Sequence, residues 1–432
     1  MINGEKKKLK TKLWKKAHNA LAYLYGDLPD VHILNRFYSE KMLFENSDYI
    51  MMWDLVAELR LRAKEIDCIT KLSGRDTATL TAFLLTATET NPLELHYLCP
   101  VCKKVEFIKD KALPWDLPDK PCECGGVMSA DGFDIPYEMC ISRKFGPWPH
   151  LAVSAAFMKT AEKIVREKMG GLYRICKLTK PGFTILKFVF LPFSEEGDYE
   201  ENVDTVDDKY DSYPQITIAP LLMFDRTKAL TDATGIDFEK ICACVSSGCF
   251  SDLRIIEAFR NGDVGGIPDF TSKFLDMKEE LRLASPKNYY DLLQFMGAMH
   301  GTNTWCDNAK CLVRDGICSI GDIPTHRDDV FMLLRDKLRE AGHTDVGIAH
   351  NIAIKIRLGV YAKLGISSED LALIEYLDLP EWFIPYAEKI QYMFPKAHNV
   401  ESLRSSLTFM WYKINYPETF NEIMRKEGAR HG

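Results

Sequence analysis

The stretch Leu98–Gly126, LCPVCKKVEFIKDKALPWDLPDKPCECGG, carries two cysteine pairs, Cys99 with Cys102 and Cys122 with Cys124, in the pattern C-x2-C-x19-C-x-C. Four thiolates at this spacing can surround a tetrahedral zinc, because each short pair spans two neighbouring ligand positions and the long segment brings the pairs together. A C-x-C pair is stiffer than C-x2-C, so His96 stands by as a substitute ligand should Cys124 fall short. An all-thiolate shell leaves no position for water, which makes such a zinc a structural staple rather than a catalyst. Four free thiols in a Gly/Pro-rich loop are the competing reading.

Outward from this stretch the composition sets the frame. The 432 residues are 46% apolar and 11% aromatic, enough for two or three domains with real cores. No apolar run is long enough to cross a bilayer, and the basic N-terminus lacks a clean apolar core with a cleavage site. The expectation is a soluble, cytoplasmic protein. Thirteen cysteines scattered along the chain fit reduced thiols better than a disulfide framework, so a tight cysteine cluster is a metal candidate first. The net charge of −7 argues against a chain that coats nucleic acid through its overall field, but phosphate contact depends on a few local cations. Seven lysines fall between Lys6 and Lys16. A solvated helix face is the ordinary reading of that run, and a phosphate-contacting arm the minority one.

Periodicity gives the organisation. Apolar residues recur at helical spacing from Leu13 to about Lys71, as in SDYIMMWDLVAELRLRAKEI, with interruptions at Gly26 and Pro29. TATLTAFLLTATETNPL, residues 77–93, predicts another helix that stops before Asn91-Pro92. GFTILKFVFLPF and YPQITIAPLLMF read as strands, separated by an acidic loop or linker containing Asp204, Asp207 and Asp208. From Thr231 onward the chain reads as helical again. CACVSSGC, Cys242–Cys249, sits in an apolar helical context and is not taken as a metal site. The expected fold class is α+β, mostly helical, with a small sheet and a zinc-binding insertion.

The cysteine segment and its flanks resemble a known family. NPLELHYLCPVCKKVEF, LPDKPCECGG and DGFDIPYE are similar to the zinc-bearing segment of the PolC-type alpha subunit of bacterial DNA polymerase III, the replicative polymerase of low-GC Gram-positive bacteria. TGID (Thr234–Asp237), GGIPDF (Gly265–Phe270), MGAMHGTNTWCDNA (Met296–Ala309), RDDV (Arg327–Val330) and LPEWFIPYAEKIQYMFPKAH (Leu379–His398) follow in the same order. The resemblance implies four regions: 1–95, the helical N-terminal part of a palm-like region; 96–135, a zinc-binding, thumb-like segment; 136–235, a reduced palm; and 236–432, a helical fingers-like domain. It leaves no counterpart here for the family's exonuclease, phosphoesterase-like or C-terminal duplex- and clamp-binding regions.

The palm of the family holds two magnesium ions on three aspartates, hard oxygen ligands that neutralise the triphosphate and activate the primer hydroxyl. Where the family has Pro-Asp-Ile-Asp, this chain reads PHLAVSA from Pro149, so His150 and Ala152 stand at the first two positions. The third aspartate falls in IAPLLMF, at Pro220 or Leu221, and Asp225 lies just beyond the motif. The resemblance therefore implies lost carboxylates and no bound Mg2+. The family's glycine-rich phosphate loop corresponds to KLSGRDTAT, where Gly74 remains, Asp76 would repel a triphosphate and Arg75 is a residual candidate. In the fingers-like part Lys273, His300, Lys389, Lys396 and His398 are the candidate nucleotide or DNA contacts, with Lys396 and His398 foremost and Glu401 working against them. Trp305, Tyr392 and Phe394 could stack bases, although Trp305, Phe394 and Trp382 read more naturally as core.

These readings point to a palm-damaged polymerase relative that binds primer–template DNA or a replisome component and competes with the true polymerase, a plausible cargo of a phage or mobile element. Two alternatives stand beside it: an active nucleotidyltransferase drawing carboxylates from Asp204, Asp207, Asp208 or a partner chain, and a structural fragment without DNA affinity.

Overall fold

The computed structural model of the protein describes residues 2–73, 78–140, 148–179, 184–193, 199–202, 212–221, 223–242 and 248–431. The chain divides into two compact units. The first comprises Met1–Phe107, Lys120–Ala243 and Arg425–Gly432; the second comprises Ile108–Asp119 and Cys244–Met424. No described helix is long and apolar enough to cross a membrane.

In the first unit, helices α1 (Ile2–Tyr25), α2 (Val31–Phe44), α3 (Tyr49–Lys64) and α4 (Leu80–Leu84) precede two small sheets. Leu13, Ala17, Leu21 and Tyr25 recur every four residues on α1 and are all buried, which fixes the helix face turned to the core. Gly26, at φ 86°, ends α1 in the left-handed region, and the Asp30 side chain caps α2 by accepting the His32 amide at 2.8 Å. The helix expected over residues 77–93 is only α4: Thr86 takes φ 64° and turns the chain out of the helix just past its end. Run-on threonines, which are poor helix formers, give little to resist that turn. The N-terminus of α4 is fixed instead by Glu40, fully buried on α2, whose carboxylate accepts the Leu80 amide at 2.8 Å and the Thr81 amide at 2.9 Å.

The strands of the cysteine segment are β2 (His96–Leu98), β3 (Val105–Phe107), β4 (Lys120–Pro121) and β5 (Val127–Asp131), in the order β3-β2-β5-β4. The larger sheet uses β1 (Thr70–Ser73), β6 (His150–Val153), β7 (Arg174–Thr179), β8 (Leu186–Leu191), β9 (Tyr199–Asn202) and β10 (Gln215–Pro220), in the order β1-β6-β10-β8-β7-β9. Strands β8 and β10 are the two expected from the sequence; β1, β6 and β7 are too short or too polar to announce themselves. One face, with Leu151, Val153, Phe188, Phe190, Ile216 and Ile218, packs into the same core as α1, α3 and α5 (Met158–Met169). On the other face Cys176, Leu178, Val189 and Leu191 form a second buried cluster toward the β7–β8 end. Helices α6 (Met223–Thr234) and α7 (Phe238–Cys242) follow.

The second unit is helical: α8 (Leu253–Arg260), α9 (Met277–Ala284), α10 (Tyr289–His300), α11 (Lys310–Arg314), α12 (Arg327–Glu340), α13 (Val346–Arg357), α14 (Val360–Leu364), α15 (Ser368–Tyr376), α16 (Phe383–Lys389), α17 (Lys396–Asn415) and α18 (Pro417–His431), the last running on past Met424. Almost every residue of α17 from Lys396 to Met410 is buried, so this helix is the unit's centre, with α10 packed against it. Aromatic side chains fill the surroundings, with Phe259 and Phe270 ring centres 4.8 Å apart and Phe295 edge-on to Trp305 at 5.2 Å.

The spacer between the two cysteine pairs, Ile108–Asp119, packs within this second unit. Trp115, almost completely buried, meets Phe250 edge-on at 5.8 Å, and the Arg404 guanidinium lies 5.5 Å from its ring centre. The spacer is thus more than a connection between ligands.

Candidate metal centre and nucleic-acid contacts

Each cysteine pair occupies the turn of a hairpin. Cys99 follows β2, its amide bonded to the Lys104 carbonyl at 3.0 Å; Cys122 follows β4, its amide bonded to the Gly126 carbonyl at 2.8 Å. In both turns the residue directly after the second cysteine is left-handed, Lys103 at φ 62° and Gly125 at φ 86°. The C-x-C turn therefore closes in the same manner as the C-x2-C turn, one residue shorter. Pairing of β2 with β5 sets the two turns side by side. A Cβ on Gly126 would stand 3.1 Å from the Cys99 sulfur, so the close approach of the turns depends on a missing side chain.

The four Sγ atoms lie within 4.8 Å of one another, with Cys99–Cys124 at 3.5 Å and Cys102–Cys122 at 3.6 Å. Zinc–sulfur bonds of about 2.3 Å imply an edge of about 3.8 Å between sulfurs of a tetrahedron, so the set fits a single tetrahedral metal ion. The Cys102 N–H donates to Cys99 Sγ and, against the effect of burial, lowers that thiol, while hydrogen bonds from neighbouring sulfurs raise Cys102 and Cys122, so a metal would have to displace shared protons. Cys124 reaches the cluster. His96 is fully buried and otherwise occupied, with Nδ1 2.7 Å from the Glu94 carbonyl and Nε2 3.3 Å from the Tyr25 hydroxyl, so the expected substitute ligand has no part in it.

The positions read as lost carboxylates are brought together by the larger sheet. Parallel register sets His150 beside Thr217 and Ala152 beside Ala219, and Leu221 follows directly on β10. Leu151 and Val153 face the core, so His150 and Ala152 share the opposite, more open face. Lys71 pairs with Ala152 and Lys187 with Thr217, extending the two cross-strand ladders on that face. Together with Ser73, which pairs with His150, the described residues along these ladders are lysine, serine, histidine, threonine and alanine. Asp225 is exposed in the first turn of α6. Gly74, Arg75 and Asp76, the acidic trio Asp204, Asp207 and Asp208, and Cys244 of CACVSSGC lie outside the described residues.

The candidate contacts of the second unit fall into two groups. Lys273 and Lys389 are exposed, Lys389 donating to the Asp307 carbonyl at 2.8 Å. Lys396, by contrast, is 4% exposed and its ammonium lies 3.2 Å from Asp329. His300 and His398 are half-buried and gather around Phe394, at ring distances of 5.6 and 5.5 Å. Trp305 is core, its indole N–H given to Glu280 at 2.8 Å, which removes it from the stacking candidates.

A hydrogen-bonded chain that sequence reading missed joins these residues. His300 Nδ1 meets Asn399 Oδ1 at 2.7 Å; Asn399 Nδ2 meets His326 Nε2 at 3.0 Å; His326 Nδ1 meets Asp329 at 2.8 Å; and Gln294 donates to Asp329 at 3.1 Å. With the Asn399 amide so oriented, it donates to His326 Nε2, and His326 gives its Nδ1–H to Asp329. Burial raises the proton affinity of Asp329, yet Lys396 and His326 more than reverse this and hold the carboxyl well below its usual range. Only RDDV, at the start of α12, hinted at this cluster.

Comparisons with known proteins bear on both units. Residues 223–324 match the bacterial DNA polymerase III alpha subunit finger domain. PolC-type DNA polymerase III of Caldanaerobacter subterraneus is 26% identical across 97% of this chain and 34% of its own length. That of Clostridium perfringens is 26% identical across 97% of this chain and 33% of its own, and that of Thermotoga petrophila 28% across 92% and 33%. The chain spans about a third of the length of these curated relatives. It is a relative of PolC-type DNA polymerase III.

Proposed function

We propose that this PolC-like chain binds primer–template DNA without adding nucleotides to it, and so competes with a replicative polymerase for the primer end. The observation that carries the reading is the register of β6 and β10. It sets His150 beside Thr217 and Ala152 beside Ala219, with Pro220 and then Leu221 next along the chain, and the resemblance calls for aspartates at His150, Ala152 and Pro220 or Leu221. Phosphoryl transfer with two magnesium ions requires hard oxygen ligands held a few ångströms apart. An imidazole, a methyl group and an isobutyl group offer none.

In this reading the larger sheet, with residues 1–95 and 136–235, is the counterpart of a palm; 96–135 holds a thumb-like zinc lobe; and 236–432 is the counterpart of the fingers. Lys273, Lys389, His300 and His398 supply phosphate or base contacts, and Lys396, held by Asp329, positions the His300–Asn399–His326 chain. Cys99, Cys102, Cys122 and Cys124 hold zinc, which braces the two hairpins.

Primer extension with magnesium, run beside a gel-shift assay on the same primer–template, tests the proposal. The expected result is a shifted complex with no extension. Extension that Asp204→Asn, Asp207→Asn or Asp208→Asn abolishes would establish the alternative, an active nucleotidyltransferase, and a chain that neither shifts nor extends the primer would remove both readings.

A further inference from the structure

Folding sorts the lysine run of α1 by face. Lys6, Lys7, Lys10 and Lys15 line a groove of about 1070 Å³ whose walls come from α1, α2 and the turn at residues 45–48, and Lys41 of α2 joins them. Lys7, Thr11, Lys15 and His18, all groove-lining, follow at steps of four, four and three residues, which makes a single stripe about 16 Å long on a helix rising 1.5 Å per residue. The floor is aromatic. Trp14 and Phe37 are buried and meet edge-on at 6.1 Å, and the Trp14 indole N–H has no acceptor among the described residues. Tyr38 lines the same groove with 46% of its surface exposed.

Two carboxylates, Glu45 and Asp48, also line the groove. Asp48 is already engaged, by Lys10 at 3.3 Å and by the Tyr173 hydroxyl at 2.7 Å, while the Lys6 ammonium sits 3.4 Å over the Tyr173 ring. Among the described residues no ion pair engages Lys7, Lys15 or Lys41. Five lysines against two acids give this surface a sign opposite to that of the chain as a whole.

We propose that the groove is a binding track for the backbone of a single-stranded nucleic acid, separate from the candidate contacts of the second unit. Lysines in a helical stripe act as point charges that follow a phosphate backbone without reading sequence, and the exposed Tyr38 ring gives a base a surface to lie on. An acidic peptide would find the charges but make no use of the exposed Tyr38 ring. The inference rests on no part of the primer-end reading.

Fluorescence anisotropy of a labelled dT20 oligonucleotide with the full chain, over 50–200 mM salt, tests it. For Lys7→Glu/Lys15→Glu/Lys41→Glu the dissociation constant is expected to rise at least tenfold, on the order of what losing three phosphate contacts costs, and the log–log salt slope to become shallower by about 2. The milder Lys→Gln triple variant is expected to fall between this and wild type. Lys8→Glu/Lys12→Glu/Lys163→Glu carries the same charge change away from the groove, and an equal loss there overturns the proposal. So does an unchanged slope in a groove variant with wild-type circular dichroism, or displacement of dT20 by polyglutamate or inorganic triphosphate at matched charge. Binding of dT20 is further expected to alter tryptophan emission in the wild type more than in Trp14→Phe.

Discussion

The Asp116 carboxylate accepts the Tyr289 amide at 2.7 Å and, with its other oxygen, the Tyr290 amide at 3.1 Å, so the spacer between the cysteine pairs caps α10 from 173 residues away. Asn288 caps the same helix locally through the Asp291 amide. Removing the carboxylate in Asp116→Ala leaves two first-turn donors in a buried site, at a cost of about 1–2 kcal/mol. Burial pushes the Asp116 carboxyl up to about 6, in spite of three backbone N–H bonds. The folded state then holds this proton more tightly than the unfolded chain. The stabilisation is full below the ordinary value of 3.8 and is lost as pH rises through about 6. Urea midpoints of wild type relative to Asp116→Asn should decline between pH 4 and 7, and a difference that climbs instead rejects the assignment.

The purified chain is expected to carry one equivalent of zinc by elemental analysis. Cys122→Ser should lower that to well under half an equivalent. Cobalt substitution should give a thiolate charge-transfer band in the wild type that the variant lacks. Because folding and metal binding are linked at such sites, strong chelators should lower the melting temperature. Full zinc content in Cys122→Ser would remove that residue from the ligand set.

Asp329 holds Lys396, His326 and Gln294 together inside the second unit. Asp329→Ala removes the carboxylate 3.2 Å from the buried Lys396 ammonium, and a loss of about 3–5 kcal/mol is expected in urea unfolding. Its folded-state proton affinity is depressed, so its contribution is present above the ordinary 3.8 and fades as pH falls below that. A loss below about 1 kcal/mol would mean that the site relaxes or admits water.

Gly132 takes φ 94°, and a Cβ there would lie 2.3 Å from the Glu94 carbonyl and 2.9 Å from His96 Nδ1. Gly132→Ala must shift the start of β2, the strand that leads into Cys99. The expected outcome is faster limited proteolysis within residues 96–131 and weaker zinc retention, with an unstrained variant such as Val127→Ala as the comparison.

Charge reversal of Lys273 and Lys389, both exposed, is expected to weaken primer–template binding and to make its salt slope shallower by up to about 2, since each phosphate contact on duplex DNA contributes nearly one. An unaltered slope would place the DNA contacts of the second unit elsewhere.

Much of this protein is written locally. The cysteine spacing, the four-residue apolar rhythm of α1, and the β-branched and aromatic runs of β8 and β10 each reflect a requirement met within a few residues, so the sequence alone discloses the cluster, the helices and two strands. The resemblance to PolC-type chains rests on motif order and is likewise linear. What the sequence could not disclose depends on residues meeting across the chain. Nothing in HLAV declares a strand until β10 and β1 flank it, and nothing in the lysine run says which four share a groove until α2 packs beside α1. Lys396 reads as a solvent-facing cation until Asp329 is found beside it. Asp116 looks like a loop acid until α10 arrives with two bare amides. Local steric preference and hydrophobic period decide the elements; burial and the need to pair every enclosed charge and donor decide what their side chains can do, and both are settled only when distant segments meet.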